Sequence, residues 1–150
     1  MTRDAARRGQ DVYDRWAEYG VLYRVVDRAS RSVRAMGAAA LGVGAGDAVL
    51  DLGCGPGGSI PLLADAVGPE GTVIAVDYSG GMVRTAAGRA AAHPAAAVVR
   101  GDAGRLPLRD DAIDAAFASL ALSAMPAIGA VLDEIERVVR PGGRLVVVDG

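Results

Sequence analysis

Two carboxylates and a run of glycines are the residues here whose spacing could do chemistry. Asp51 closes the apolar stretch Ala48-Val49-Leu50 and, after Leu52, the chain turns through Gly53-Cys54-Gly55-Pro56-Gly57-Gly58. Asp77 closes a second apolar stretch, Val73-Ile74-Ala75-Val76. Glycines at the end of a strand let backbone approach a ligand closely, and an acid ending the next parallel strand can accept hydrogen bonds from both hydroxyls of a ribose. The pairing therefore places a small adenosine-bearing cofactor.

Gly53, Gly55 and Gly58 spell G-x-G-x-x-G, the dinucleotide fingerprint, with Asp77 where its ribose-binding acid belongs. The charges point elsewhere. A pyrophosphate needs free backbone N–H groups and a positive helix N-terminus, yet Asp51 puts a carboxylate at the mouth of the loop and Pro56 has no N–H to offer. S-adenosylmethionine carries an ammonium and a sulfonium and no phosphate, so Asp51 would attract it. A nicotinamide-dependent oxidoreductase remains the alternative reading of these glycines.

The elements that must position these groups alternate strand and helix. Apolar runs predict strands over 48–52, 72–77, 95–100, 113–118 and 144–149. Between them, Ile60, Leu63, Ala64 and Val67 mark a short helix ending at Gly68-Pro69, and Ser79 can cap one carrying Met82, Val83, Ala86, Ala87 and Ala90. Ile128, Val131, Leu132, Ile135, Val138 and Val139 give the clearest helical stripe, set between Pro126 and Pro141. Upstream, Leu22, Val25, Val26, Ala29, Val33 and Met36 recur as one apolar stripe, so residues 1–44 are expected to form a helical cap and 45–150 an α/β core. Uniformly apolar strands joined by helices imply a doubly wound, mainly parallel, Rossmann-like sheet. Right-handed crossovers then carry Asp51, Asp77, Gly101-Asp102 and Ser119 to one carboxyl edge.

Composition excludes several classes of partner. With 16 basic and 18 acidic side chains and a formal net charge of -2, the chain gives no reason to expect nucleic acid or an anionic membrane. The arginines before Gly37 (Arg3, Arg7, Arg8, Arg15, Arg24, Arg28, Arg31, Arg34) are interleaved with Asp4, Asp11, Asp14, Glu18 and Asp27 and read as a solvated helical face. Residues 115–132 are free of charge, but Ser119, Ser123, Pro126 and Gly129 interrupt them, so strand, loop and helix start explain the run better than a membrane span. Cys54 is the only cysteine, which rules out an intramolecular disulfide, and no base is marked beside it to make it a nucleophile. No apolar signal core follows Met1, so cytoplasm is the expected compartment. Nothing has metal-ligand spacing, and His93, before Pro94, reads as a helix terminator.

The run Val49-Leu50-Asp51-Leu52-Gly53-Cys54-Gly55-Pro56-Gly57 resembles the first motif of class I S-adenosylmethionine-dependent methyltransferases, and Val76-Asp77-Tyr78-Ser79 with Gly81-Met82 resembles their second. Gly101-Asp102-Ala103 with Leu106-Pro107-Leu108, Ile113-Asp114-Ala115-Ala116-Phe117, and Arg137 through Leu145 are similar to the later blocks, nearest to the ubiquinone/menaquinone-biosynthesis type. The resemblance implies direct transfer of a methyl group to a small molecule. It implies that Gly53, Cys54, Gly55 and Gly57 offer backbone to the methionine moiety, and that Asp77 with Tyr78 meets the ribose. It further implies that Asp102 and Ala103 clamp adenine, and that Ser119 and Leu120 line the methyl side. From the N-terminal aromatic cluster, Tyr13 or Tyr19 could close over the site, the alternative being helix packing together with Trp16 and Tyr23. Such enzymes usually add two further strands beyond the fifth. The sheet is thus expected to be unfinished, with the fifth strand's edge available for pairing with another copy, and a non-catalytic binding module stays a second reading.

Overall fold

Strands that are apolar on both faces must be covered on both faces, and here helices follow the first, second and fourth strands while a loop joins the third to the fourth. The computed structural model describes residues 20–149. Helices α1 (Gly20–Ala29) and α2 (Arg31–Ala40) precede β1 (Ala48–Leu52), α3 (Ile60–Val67), β2 (Thr72–Asp77), α4 (Gly80–Ala90) and β3 (Ala96–Arg100). Then come β4 (Ile113–Ser119), a 3-10 turn at Leu122–Ala124, α5 (Ile128–Val138) and β5 (Val139–Val148). The strands form one parallel sheet in the order β3-β2-β1-β4-β5, the doubly wound arrangement expected from the alternation. Among the described residues no helix is long and apolar enough to cross a membrane.

Side-chain alternation along β1 and β4 divides the core. Leu50, Leu52, Ala116 and Ala118 pack with Val131, Ile135 and Val138 of α5 on one face. Val49, Ala115 and Phe117 pack with Leu63 and Val67 of α3 and with Ala38 and Leu41 on the other. Local signals set the helix ends. The Ser79 hydroxyl accepts from the Met82 N–H at 3.3 Å to cap α4, and Gly68, at φ +66, stops α3.

The N-terminal stripe folds differently from its periodicity. The chain breaks into two helices at Ser30, whose hydroxyl donates to the Val26 carbonyl at 2.7 Å. Leu22, Val25, Val26, Val33 and Met36 stay exposed, and α2 buries Arg34, Gly37 and Ala38 instead. The reason is distance. A Cβ on Gly37 would run into Val148 Cγ2 and stand 2.8 Å from Phe117 Cε2, so the helix lies too close to the sheet for large side chains. Gly37→Ala is therefore expected to destabilise the chain by about 1–3 kcal/mol through overpacking. Gly88→Ala in α4, where an added Cβ meets nothing within 4 Å, should stabilise it by about 0.5–1 kcal/mol. Thermal denaturation of both variants checks the opposite signs.

The fifth strand also begins earlier than its apolar run. Val139 lies opposite Ile113, a register shift follows, and Arg144 then faces Ala115. An outer strand tolerates Pro141 and a bulge because half its backbone groups have no ladder to complete. Asp114 ties the sheet's lower edge together, accepting from the Ala48 N–H at 2.7 Å and from Arg140 Nε at 2.6 Å. These bonds, led by the Ala48 N–H, hold its carboxyl below the usual range. β5 is the outer strand on this side, and its Leu145 and Val147 are exposed.

Candidate functional site

Strand order reverses between β1 and β4, and the crevice of a doubly wound sheet opens at such a point, above the carboxyl ends. A cavity of about 440 Å³ lies there. Asp51, Gly53, Cys54, Gly55, Asp77, Tyr78, Asp102, Ala103, Ser119 and Leu120 all line it. Gly57 does not. At φ +89 it closes the turn, and a Cβ there would stand 2.9 Å from Ile60 Cδ1 and 3.2 Å from Ala86 Cα, so its hydrogen side lets α4 approach the loop rather than a ligand. Tyr13 and Tyr19, the expected closing residues, fall outside the described residues.

The glycine turn is organised by Asp77. Its Oδ2 accepts from the Gly55 N–H and its Oδ1 from the Ser79 N–H, each at 2.9 Å, which joins the turn after β1 to the start of α4 and fixes the carboxylate against the cavity. The Cys54 N–H donates to the Val76 carbonyl and the Gly57 N–H to the Cys54 carbonyl, both at 3.0 Å. Three N–H groups that a pyrophosphate would use are thus already engaged, two by the end of β2 and one within the turn, and Pro56 has none. At φ +65, Gly53 would drive a Cβ to 2.6 Å from Ala121 Cβ, so only glycine lets the turn and the segment after β4 meet.

Asp51 is the electrostatic centre. It is buried at the end of β1, between Ala75 of β2 and Phe117 of β4, and its Oδ2 has no hydrogen-bond partner. Burial first, then the neighbouring Asp77 carboxylate, push its carboxyl up to about 7, while the Arg34 guanidinium works in the opposite direction. A partnerless carboxylate oxygen lining a cavity demands a cation or a donor. Burial and the Asp51 and Asp77 carboxylates hold the Cys54 thiol far above its ordinary value, so it is not a nucleophile.

The loop after β3 is held from below. Arg137 of α5 donates from Nη1 to the Leu108 carbonyl at 2.8 Å and to Asp110 Oδ1 at 2.9 Å, and from Nη2 to the Leu106 carbonyl at 3.1 Å. Glu134 accepts from the Leu106 N–H at 2.7 Å and pairs with Arg137, which draws its carboxyl down to about 2. That contribution is present above pH 4.5 and fades only as pH falls towards 2. Within the loop, Asp102 Oδ1 accepts from the Gly104 N–H at 2.8 Å, so it both lines the cavity and shapes its own turn.

Sequence reasoning missed Arg34 and Asp27. Placed among solvated arginines by their charge pattern, they are instead a partly buried ion pair at 2.8 Å, and both line the cavity. Their separation, two helical turns, was the available signal. Met125, Ala121 and Ala130 were missed as well; they make the cavity's apolar flank beside Leu120.

Fold and site together define an α/β protein whose switch-point cavity suits a phosphate-free, cationic adenosyl ligand. The model of the family described as methyltransferase domain matches residues 50–147, and the chain belongs to that family. Over 107 residues it is 43% identical to a 2-phytyl-1,4-naphtoquinone methyltransferase of Synechococcus elongatus, covering 69% of this chain and 46% of that one. Over 111 residues it is 44% identical to a demethylmenaquinone methyltransferase of Beutenbergia cavernae, covering 73% and 43%. A solved SAM-dependent methyltransferase of Aquifex aeolicus superposes with a TM-score of 0.70 at 29% identity, covering 73% of this chain and 59% of that one. The chain spans less than half the length of these curated relatives. S-adenosylmethionine is the family's cofactor, and the donor set fits it: an unpartnered buried carboxylate for a cation, and Asp77 at the end of β2 for a ribose.

Proposed function

We propose that this chain forms the cofactor-binding part of an S-adenosylmethionine-dependent methyltransferase whose acceptor is a small apolar ring compound of quinone type. The observation that carries the reading is the buried, unpartnered Asp51 Oδ2 lining a cavity whose glycine turn has its Cys54, Gly55 and Gly57 N–H groups already engaged by Val76, Asp77 and Cys54. The acceptor class is supported by the names of the relatives and by the apolar flank of Leu120, Ala121, Met125 and Ala130.

S-adenosylmethionine supplies a methyl group activated by its sulfonium. The chain's residues bind and orient. Asp77 accepts from the ribose diol, Asp51 meets the ammonium, and Asp102 with the Ala103 N–H takes the adenine edge. Ser119 and Leu120 face the methyl side. The apolar flank excludes water and aligns the acceptor, and such positioning can contribute about 7–11 kcal/mol of barrier lowering. Leu120, Ala121, Met125 and Ala130 carry no titratable side chain, so their contribution is orientation and exclusion of water.

Calorimetric titration of the purified chain with S-adenosylhomocysteine, S-adenosylmethionine and NADH tests the reading. Micromolar binding of the first two and none of NADH is expected. Binding of NADH alone would sink it in favour of an oxidoreductase, and a folded chain that binds none of the three would sink it too.

A further inference from the structure

We propose that the solvent-facing side of α1 and α2 is a docking surface for an anionic lipid bilayer, beside the mouth of the cavity. The surface stands on the two helices themselves; its use, delivery of a lipid-soluble acceptor, rests on the methyltransferase reading. Leu22, Val25, Val26, Val33 and Met36 all face solvent, Val25 at 62% and Met36 at 73% exposure. On α1, Leu22, Val25, Val26 and Ala29 recur at helical spacing, so the exposed residues form one stripe. An apolar stripe rimmed by polar groups marks an interaction site.

The charges say what the stripe meets. Residues 20–40 hold Arg24, Arg28, Arg31 and Arg34 against one acid, Asp27, in a chain whose formal net charge is -2. Asp27 is already engaged, pairing with Arg34 at 2.8 Å and with Arg89 of α4 at 3.1 Å. Arg24, Arg28 and Arg31 are exposed and pair with no acid among the described residues. A shallow groove lined by Arg24, Val25, Arg28 and Ala29 brings the apolar and basic groups together. Such a surface suits a membrane interface, with apolar side chains for the acyl boundary and guanidiniums for lipid phosphates. A purely acidic protein surface would answer the arginines and leave the stripe in water.

Val26 joins this face to the site. It belongs to the exposed stripe and also lines the cavity, as do Asp27 and Ser30. At about 440 Å³ the cavity has the size of a pocket for one cofactor-sized ligand, so an isoprenoid tail on a quinone-type acceptor stays outside it. A bilayer held against α1 keeps that tail in hydrocarbon while the ring enters beside Val26. The Asp27 clasp fixes the presentation, because it ties α1 to both α2 and α4.

The experiment is co-sedimentation of the whole chain with vesicles of phosphatidylglycerol and phosphatidylcholine, and with vesicles of phosphatidylcholine alone. The anionic vesicles are expected to bind about 100-fold more tightly, since each of three guanidiniums near such a surface contributes about fivefold, and salt should erode the difference. Replacing Arg24, Arg28 and Arg31 together by Gln should abolish the preference. Val25→Ser with Met36→Ser should weaken binding to both vesicles. Every variant should still bind S-adenosylhomocysteine as the wild type does. No binding to anionic vesicles by a chain that binds S-adenosylhomocysteine overturns the docking surface and leaves the function reading standing. A lipid preference that the arginine variant retains places the contact elsewhere and overturns the assignment as well. Binding that soluble polyglutamate displaces and that the Val25 and Met36 changes leave untouched marks an acidic protein partner and overturns the bilayer. Vesicle binding with the expected preference by a chain that does not bind S-adenosylhomocysteine supports the surface and sinks the function reading.

Discussion

Asp77→Ala is expected to lower S-adenosylhomocysteine affinity by about 100-fold or more. A carboxylate that accepts from both hydroxyls of a ribose makes two charge-assisted bonds, each worth about 1.5–3 kcal/mol. The substitution also frees the Gly55 and Ser79 N–H groups that Asp77 now fixes, so the glycine turn loses its tie to α4. Asp77→Asn separates the two effects. An amide oxygen can hold one of those N–H groups but cannot accept from both hydroxyls, so this variant should retain the fold and most of the loss. Calorimetry with a circular-dichroism control reads both. A folded Asp77→Ala that binds within about fivefold of wild type would refute the ribose role, since even one lost bond to a charged group exceeds that. Removing Asp77 also removes a repulsion felt by Asp51, so the two substitutions should not add.

The second large effect belongs to Asp51 and has two signs. In the folded chain its carboxyl sits near 7 against an ordinary 3.8, so the fold holds that proton more tightly than the unfolded chain does. Its contribution is fully present below about pH 4, is lost as pH rises through 7, and leaves the ligand-free chain least stable above that. Asp51→Asn should flatten this slope and stabilise the ligand-free chain at pH 8 by on the order of 2–4 kcal/mol. The same variant should bind S-adenosylhomocysteine about 10- to 100-fold more weakly, because an amide does not pair with an ammonium. In the wild type an ammonium beside Asp51 favours the charged carboxylate, so binding should release a proton near pH 6 and tighten towards pH 8. Melting curves across pH, and binding enthalpies in buffers of different ionisation enthalpy, measure the two halves. A stability profile identical in both proteins would refute the buried-carboxylate account.

Much of the site could be read along the chain because its parts are sequential. Asp51 and the glycines occupy one turn, Asp77 ends the next apolar run, and each strand's C-terminal end is marked by where apolar residues stop. Parallel crossovers then oblige those ends to share an edge. That Gly57 does not line the cavity could not be read for the opposite reason. Nothing local distinguishes a glycine that faces a ligand from one that faces Ile60 and Ala86 across the turn.

Charge pattern misled at the N-terminus. Arg34 sits among seven other arginines before Gly37, and solvated and buried guanidiniums look alike in a sequence. Only the packing of α2 against β4 and β5, close enough to exclude any Cβ at Gly37, turns Arg34 inward while Val33 and Met36 stay outside. The early start of β5 is a matter of the same kind, since a bulge between Ile113 and Ala115 depends on the neighbouring strand.

Periodicity and turn chemistry are local, and they were enough to specify five strands, their helices, the parallel sheet and the edge where Asp51 and Asp77 meet. Which polar atoms end up buried without partners, which glycines line the cavity and which arginine reaches it depend on distances between elements far apart in the chain. Those distances exist only once the helices have packed on the sheet, because burial and unsatisfied hydrogen bonding are properties of the assembled interior and not of any residue's type.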